Sequence, residues 1–324
     1  MFVNCSRLSS INVNFTDWTG ANNATYSWVG GVAINGTFYK PTALSAEYGA
    51  SRIPTINWTV VNTDEPTPLS FKGLSSSNAV QLSAVGSPSA VNLQYRKNDG
   101  AWTTYTIDQV INLNQNDTVA FSGANDHFSK DSINYYRFIM TGQIEASGNI
   151  QSLMNFSLSC TEQCYCNLFA YCTSLKTAPK LPATTLAQKC YASMFQYCYS
   201  LSTAPAILPA TTLADGCYMG MFGDCTSLST APVLPATELV EECYYRMFYN
   251  CTNLSSIEVS FTVWTGATDA TYSWVGGVAA NGTFYKPAAL STVYGASRIP
   301  EGWYVVEEQV EYPEPEEPPP SEQV

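Results

Sequence analysis

Eleven cysteines, a single histidine and a set of regularly spaced tyrosines are the residues whose type and spacing invite chemistry. Ten of the cysteines lie between Cys160 and Cys251. Cys190 and Cys198 would sit about 12 Å apart on a helix, too far to share a disulfide or a metal ion. Cys160, Cys164, Cys166 and Cys172 lack the paired C-x-x-C spacing of a structural zinc site. The cysteines therefore read as a buried ladder of small apolar thiols. Disulfides between neighbouring repeats are the alternative, and zinc the weaker one. His127 lies in GANDHFSKDS beside Ser129 and Asp131. Triads are assembled in space from separate elements, so this local run reads as a polar loop. Asn98, Asp99 and Asp131 do not have the spacing of a calcium loop. Phosphate-binding, HExxH and GxSxG motifs are absent from the sequence. A glycan-cleaving enzyme needs two carboxylates across a cleft. The repeats offer Asp215, Asp224, Glu238, Glu241 and Glu242 at mostly unmatched positions. No enzyme activity, metal or cofactor is expected.

Recognition is the chemistry that remains. Tyr191, Tyr218 and Tyr244 recur in one register, flanked by Tyr197, Tyr199 and Tyr245. Tyrosine offers a large contact area and a hydroxyl at low entropic cost, which suits binding of a protein or glycan. The alternative is that the column only covers a helix edge. A second candidate surface is polar and small: Lys176, Thr177, Ser202, Thr203, Ser229, Thr230, Ser255 and Ser256.

These residues are positioned by a repeat. Phe169, Phe195, Phe222 and Phe248 are spaced by 26, 27 and 26 residues, and Cys172, Cys198, Cys225 and Cys251 keep the same spacing. Such a period predicts a solenoid whose coils bury their apolar faces against each other. Cys190, Met194 and Cys198 at i, i+4 and i+8 predict a helix of two or three turns. Residues 199–203 then read as a short strand with Leu201 inward. Pro179, Pro205 and Pro232 share a register and confine any parallel sheet to a narrow strip.

The pattern CYxxMFxxCTSLxxAPxLPATTL resembles the BspA-like leucine-rich repeats, in a variant found in gut Bacteroidales and their phages. The resemblance spans about residues 160–305. It implies a curved solenoid with short helices outside, surface display and partner binding, with no catalytic residues to carry over.

The remaining chain frames that array. Residues 1–54 match residues 247–300 at a constant offset of 246, with 42 identities in 54. The expected organisation is a duplicate of the C-terminal cap at 1–62, a small antiparallel β-sandwich at 67–148 and leucine-rich-repeat coils at 149–253. A C-terminal cap at 254–306 and an acidic, proline-rich tail at 307–324 complete it. The sandwich rests on short alternating runs and a hairpin turn at Asn98-Asp99-Gly100. Residues 149–156 read as a helical seal on the first coil. In the cap, strands are expected at 254–261, 282–285 and 303–306, with a helix near 270–278 and a helical turn near 290–294. Met1 aligns with Met247, inside a repeat, so the chain reads either as part of a longer array or as an orphan cap that self-associates through residues 1–12.

The formal net charge is −12, and seven acids of the tail supply more than half of it. No basic stripe exists to neutralise phosphates, so nucleic-acid binding is not expected. Neither a membrane-spanning run nor a signal-peptide start is visible. The fold class expected is β-rich α+β. The function expected is non-enzymatic adhesion or recognition of a protein or glycan, outside the cell, on a cell surface or a phage virion. The alternative is a structural virion component, a fibre, tail or decoration protein whose repeats make subunit contacts.

Overall fold

The computed structural model describes residues 67–265 and 267–308, and before them residues 5, 8, 10–13, 29, 31–33, 35–40, 44, 52–54 and 57–62. The chain divides into two compact units, Met1–Thr67 and Pro68–Val324.

In the first unit, β1 (Ser10–Asn12), β2 (Gly36–Lys40) and β3 (Trp58–Asn62) form a parallel sheet in that order. Ile11, Val13, Val29, Phe38, Leu44, Ile53 and Trp58 make its core. The Trp58 indole donates to the Ala33 carbonyl at 2.9 Å. Most of the 1–12 segment to which self-association was assigned lies outside the described residues.

The second unit begins with two antiparallel sheets. One carries β4 (Leu69–Gly73), β6 (Leu93–Lys97), β7 (Thr103–Thr104), β9 (Thr118–Gly123) and β11 (Ile144–Ser147), in the order β11-β4-β9-β6-β7. The other places β5 (Asn78–Val85) between β8 (Ile111–Leu113) and β10 (Tyr135–Thr141). Alternation in the sequence explains both: β4 buries every second residue, Leu69, Phe71 and Gly73. Phe71, Phe121 and Phe138 meet edge-on in the shared core, with ring centroids 4.9 to 5.9 Å apart. The hairpin at Asn98-Asp99 has both residues left-handed (φ 49° and 56°), as a tight turn between twisted strands requires.

The helix-plus-strand leucine-rich-repeat solenoid expected from the sequence is not formed. The only helix among the described residues is the four-residue 3₁₀ helix Ile150–Leu153, capped by the Asn149 side chain. The sheets do not close into a solenoid, and β12 (Leu175–Thr177), parallel to β11, is the only strand between residues 150 and 255. What stands in place of the helices is a run of four-residue turns. Lys189, Ser193 and Tyr197 are left-handed (φ 53°, 52° and 62°), and so are Gly216, Gly220 and Asp224 one repeat on. Backbone N–H groups alternate in direction. Ala192, Met194 and Gln196 donate three residues back, to Lys189, Tyr191 and Ser193. Tyr191, Ser193, Phe195 and Tyr197 donate to Cys217, Met219, Met221 and Gly223 of the next repeat. An i, i+4, i+8 apolar spacing fits a period of 4.0 as well as 3.6 over so few residues, so the helix reading was ambiguous from the start.

The repeats nevertheless lie one on another. Phe169, Phe195, Phe222 and Phe248 stack with centroids 5.2, 5.4 and 5.8 Å apart and planes within 9°. Strand β10 closes the near end: Phe138 stacks on Phe169 at 5.2 Å, and its N–H donates to Leu168. The far end is closed by Trp274 and by β13 (Ser256–Glu258), β14 (Thr283–Pro287) and β15 (Tyr304–Glu308), a parallel sheet. Residues 270–278 continue the turns, and 290–294 form no helix. Ser256 pairs with Thr283 as Ser10 pairs with Thr37, the same register 246 residues apart. Trp303 donates to Ala279 at 2.8 Å, as Trp58 does to Ala33.

Candidate functional site

The structure separates the expected contact residues into two groups. Tyr191, Tyr218 and Tyr244 are each 1% exposed. With Tyr165 they form an inner stack, 5.5, 5.8 and 6.0 Å between centroids. Assigning them to a partner surface is therefore corrected: they are core, because the four-residue turn aims every residue at this position inward beside the phenylalanines.

Tyr197 and Tyr199 reach the surface. Tyr199 is 46% exposed, Tyr197 half-buried, and Tyr171, which sequence reasoning passed over, is 55% exposed. Tyr171 and Tyr197 stack at 4.7 Å with planes 22° apart, and Tyr199 meets Tyr197 at 6.3 Å and 61°. The Arg137 guanidinium lies 5.5 Å from the Tyr171 centroid, close enough for a cation–π contact. One repeat on, Asp224 takes the place of a tyrosine, and its Oδ1 accepts from Asn250 Nδ2 at 3.0 Å. Burial first, and then the Asp224 carboxylate, push the Tyr197 hydroxyl above its ordinary value. Arg246 spans the neighbouring rings, 5.7 Å from Tyr245 and 5.1 Å from Tyr249.

This surface is held under backbone strain. Tyr171 and Tyr197 have φ of 64° and 62°, a region that bulky residues avoid. The equivalent positions carry Asp224, Asn250 and Gly277, all left-handed and all of the types that tolerate it. The signal for Tyr171 was thus available, as the repeat equivalent of Tyr197.

Ser202, Thr203, Ser229 and Thr230 are exposed, and Thr177 is half-buried, its hydroxyl donating to Ala146 at 2.7 Å. They follow the tyrosines along each repeat and are joined by single parallel bridges, Thr177 to Thr203 and Thr230 to Ser256. Ser202 Oγ donates to the Lys176 carbonyl at 3.2 Å.

The cysteines do more than fill space. Cys172, Cys198, Cys225 and Cys251 each donate S–H to a phenylalanine carbonyl, Phe138, Phe169, Phe195 and Phe222, at 3.0, 3.0, 3.1 and 3.0 Å. Burial pushes the Cys172 thiol up to about 12, and Cys166 and Cys243 to about 11. Cys160 runs the other way, drawn below its ordinary value by hydrogen bonds from the Cys164 and Cys190 thiols. All eleven cysteines are free. Among the described residues, no group of three or more His, Cys, Asp or Glu side chains is placed to hold a metal ion. Ser129 and Asp131 serve their own loop: Ser129 Oγ donates to the Asp131 carbonyl, and Asp131 Oδ1 accepts from Ile133 and Asn134. Asn98 donates instead to Asp117, at 2.8 Å. Among the described residues, no helix is long and apolar enough to cross a membrane.

The chain matches no protein-family model, no curated protein and no solved structure.

Proposed function

We propose that this is a non-enzymatic recognition protein, displayed outside the cell, that binds a protein or a glycan on a cell surface. The observation that carries the reading is the row Tyr171, Tyr197 and Tyr199, solvent-facing aromatic rings of which two sit in left-handed backbone. The left-handed backbone belongs to the turns of every repeat, as at Lys189, Ser193 and Arg246, so it sets where these rings project, and the reading rests on their exposure and stacking. The exposed hydroxyls of Ser202, Thr203, Ser229 and Thr230 extend the same surface with groups that both donate and accept. The test is binding of the fluorescently labelled full chain to intact erythrocytes and to a panel of bacterial cells, read by flow cytometry. Saturable binding, weakened by Tyr171→Asn with Tyr197→Asn, supports the reading; labelling of no cell type sinks it.

A further inference from the structure

The chemistry around the tyrosine row narrows the partner. We infer that Tyr171, Tyr197 and Tyr199, with Arg137 and Asp224, form a binding site for a neutral carbohydrate. This rests on the recognition reading above and goes further by naming the ligand class.

Three observations carry it. A sugar ring offers an apolar C–H face and a rim of hydroxyls, so its site needs an aromatic surface edged by planar polar groups. Tyr199 stands at 61° to the stacked Tyr171–Tyr197 pair, so the row presents rings in two orientations. The Arg137 guanidinium lies over one end, and the Asp224 carboxylate stands in the next repeat at the other. Between them they supply the fork of donors and the charged acceptor that diol groups take up. The buried centre of a protein–protein patch is more apolar than its polar rim. Among the described residues from 137 to 254, the large exposed hydrophobic side chains are Ile139, Leu158, Tyr171, Tyr199 and Ile207. Neutrality of the ligand rests on Asp224, which stands at the site itself, and on a formal charge that remains negative once the seven acids of the tail are set aside, both of which repel a polyanion over distances set by the salt.

The variants are chosen to keep the fold. Asparagine is native and left-handed at the equivalent position, Asn250, so Tyr171→Asn and Tyr197→Asn ask nothing new of the backbone. The experiment is affinity electrophoresis of the full chain in gels containing mannan, dextran, laminarin or arabinogalactan, with heparin as the polyanionic control. Cell binding is measured in parallel on erythrocytes before and after periodate, which cleaves sugar diols. The inference expects retardation by at least one neutral polysaccharide and none by heparin. It expects at least a tenfold weaker interaction in the double variant, whose thermal midpoint is not lowered, and loss of cell binding after periodate. Retardation by none of the four, or equal retardation of the double variant, overturns it. Cell binding that survives periodate and is lost on trypsin treatment of the cells overturns the carbohydrate assignment and leaves recognition standing. Retardation by none of the four polysaccharides together with labelling of neither erythrocytes nor bacteria overturns both.

Discussion

Raising the pH from 8 to 10 should unfold the repeat stack, although no acidic side chain other than cysteine and tyrosine changes charge there. Nine thiols, Cys164, Cys166, Cys172, Cys190, Cys198, Cys217, Cys225, Cys243 and Cys251, are pushed above their ordinary value of 9.0, burial being the first cause in each. The folded state keeps them protonated, while the unfolded chain releases their protons from about pH 9. Their contribution is therefore complete below 9.0 and is lost as the pH rises toward the folded values. At pH 8 the loss is below ~0.1 kcal/mol per thiol, and at pH 10 it reaches ~1.4 kcal/mol. Nine thiols together then lose ~12 kcal/mol, comparable with the whole stability of an ordinary domain at 5–15 kcal/mol. Cys160, whose value is lowered, runs the other way: its stability still grows up to 9.0 and is constant above, so between pH 8 and 10 it returns ~1.4 kcal/mol and offsets about one thiol of the nine. The assay is urea unfolding at fixed temperature with a reductant present, at half-unit steps from pH 7.5 to 10.5, followed by near-ultraviolet circular dichroism. The midpoint should hold to about pH 8.5 and collapse before pH 10. A midpoint at pH 10 equal to that at pH 8 would refute the claim that these thiols are buried and neutral.

Three further outcomes follow from single contacts. Phe195→Ala removes a ring stacked on both sides and should cost ~3–5 kcal/mol in urea unfolding. Cys198→Ala deletes the S–H bond to Phe169 and should cost ~1–3 kcal/mol, whereas Cys198→Ser keeps a donor there and should lose less. Asp117 is held below its ordinary 3.8 by the Asn98 amide first and by Lys97 second, so its contribution is present above 3.8 and lost as the pH falls through the folded value. The thermal midpoint of wild type should therefore fall more steeply between pH 4 and 2 than that of Asp117→Asn; parallel curves would remove Asp117 from the account.

The register of the stack was readable because identical residues recur at 26 or 27 positions, and stacking is the arrangement that brings equal side chains together. The local conformation was not. Cys190, Met194 and Cys198 satisfy a helix and a four-residue turn alike. The distinguishing residues were the left-handed ones, visible as Gly216, Gly220 and Asp224 in one repeat and as Asn167 and Asn250 in others. Other positions of the same kind hold Gln163, Lys189, Glu242 and Arg246, side chains that give no hint of positive φ. Misreading the period also misplaced the site. On a helix Tyr191 would flank the buried face, whereas on the turns it points inward and Tyr171 takes the surface. The parallel strands of the cap were legible in position but shorter or shifted: 254–261 narrowed to Ser256–Glu258, and 303–306 moved to Tyr304–Glu308. Residues 199–203 form no strand, though Leu201 is buried as expected.

Within the column of turns, the amides that cross to the next repeat all face one way, while the later part of each repeat also sends bonds back, as Ser202 does to Lys176 and Ser255 to Ser229. Tyr165 gives to Cys190, Tyr191 to Cys217, Tyr218 to Cys243 and Tyr244 to Ala270. The column therefore has a donor end and an acceptor end, like a bar magnet, and its two closures cannot be exchanged. The early one must offer N–H groups, as Phe128 and Phe138 do toward Cys164 and Leu168; the late one must offer acceptors, as Ala296 and the Ser297 hydroxyl do toward Val275 and Ser273. Whole repeats can be gained or lost between those closures without reversing any bond, whereas a fragment of a repeat would put donor against donor. Lengthening is thus modular, and it has a direction.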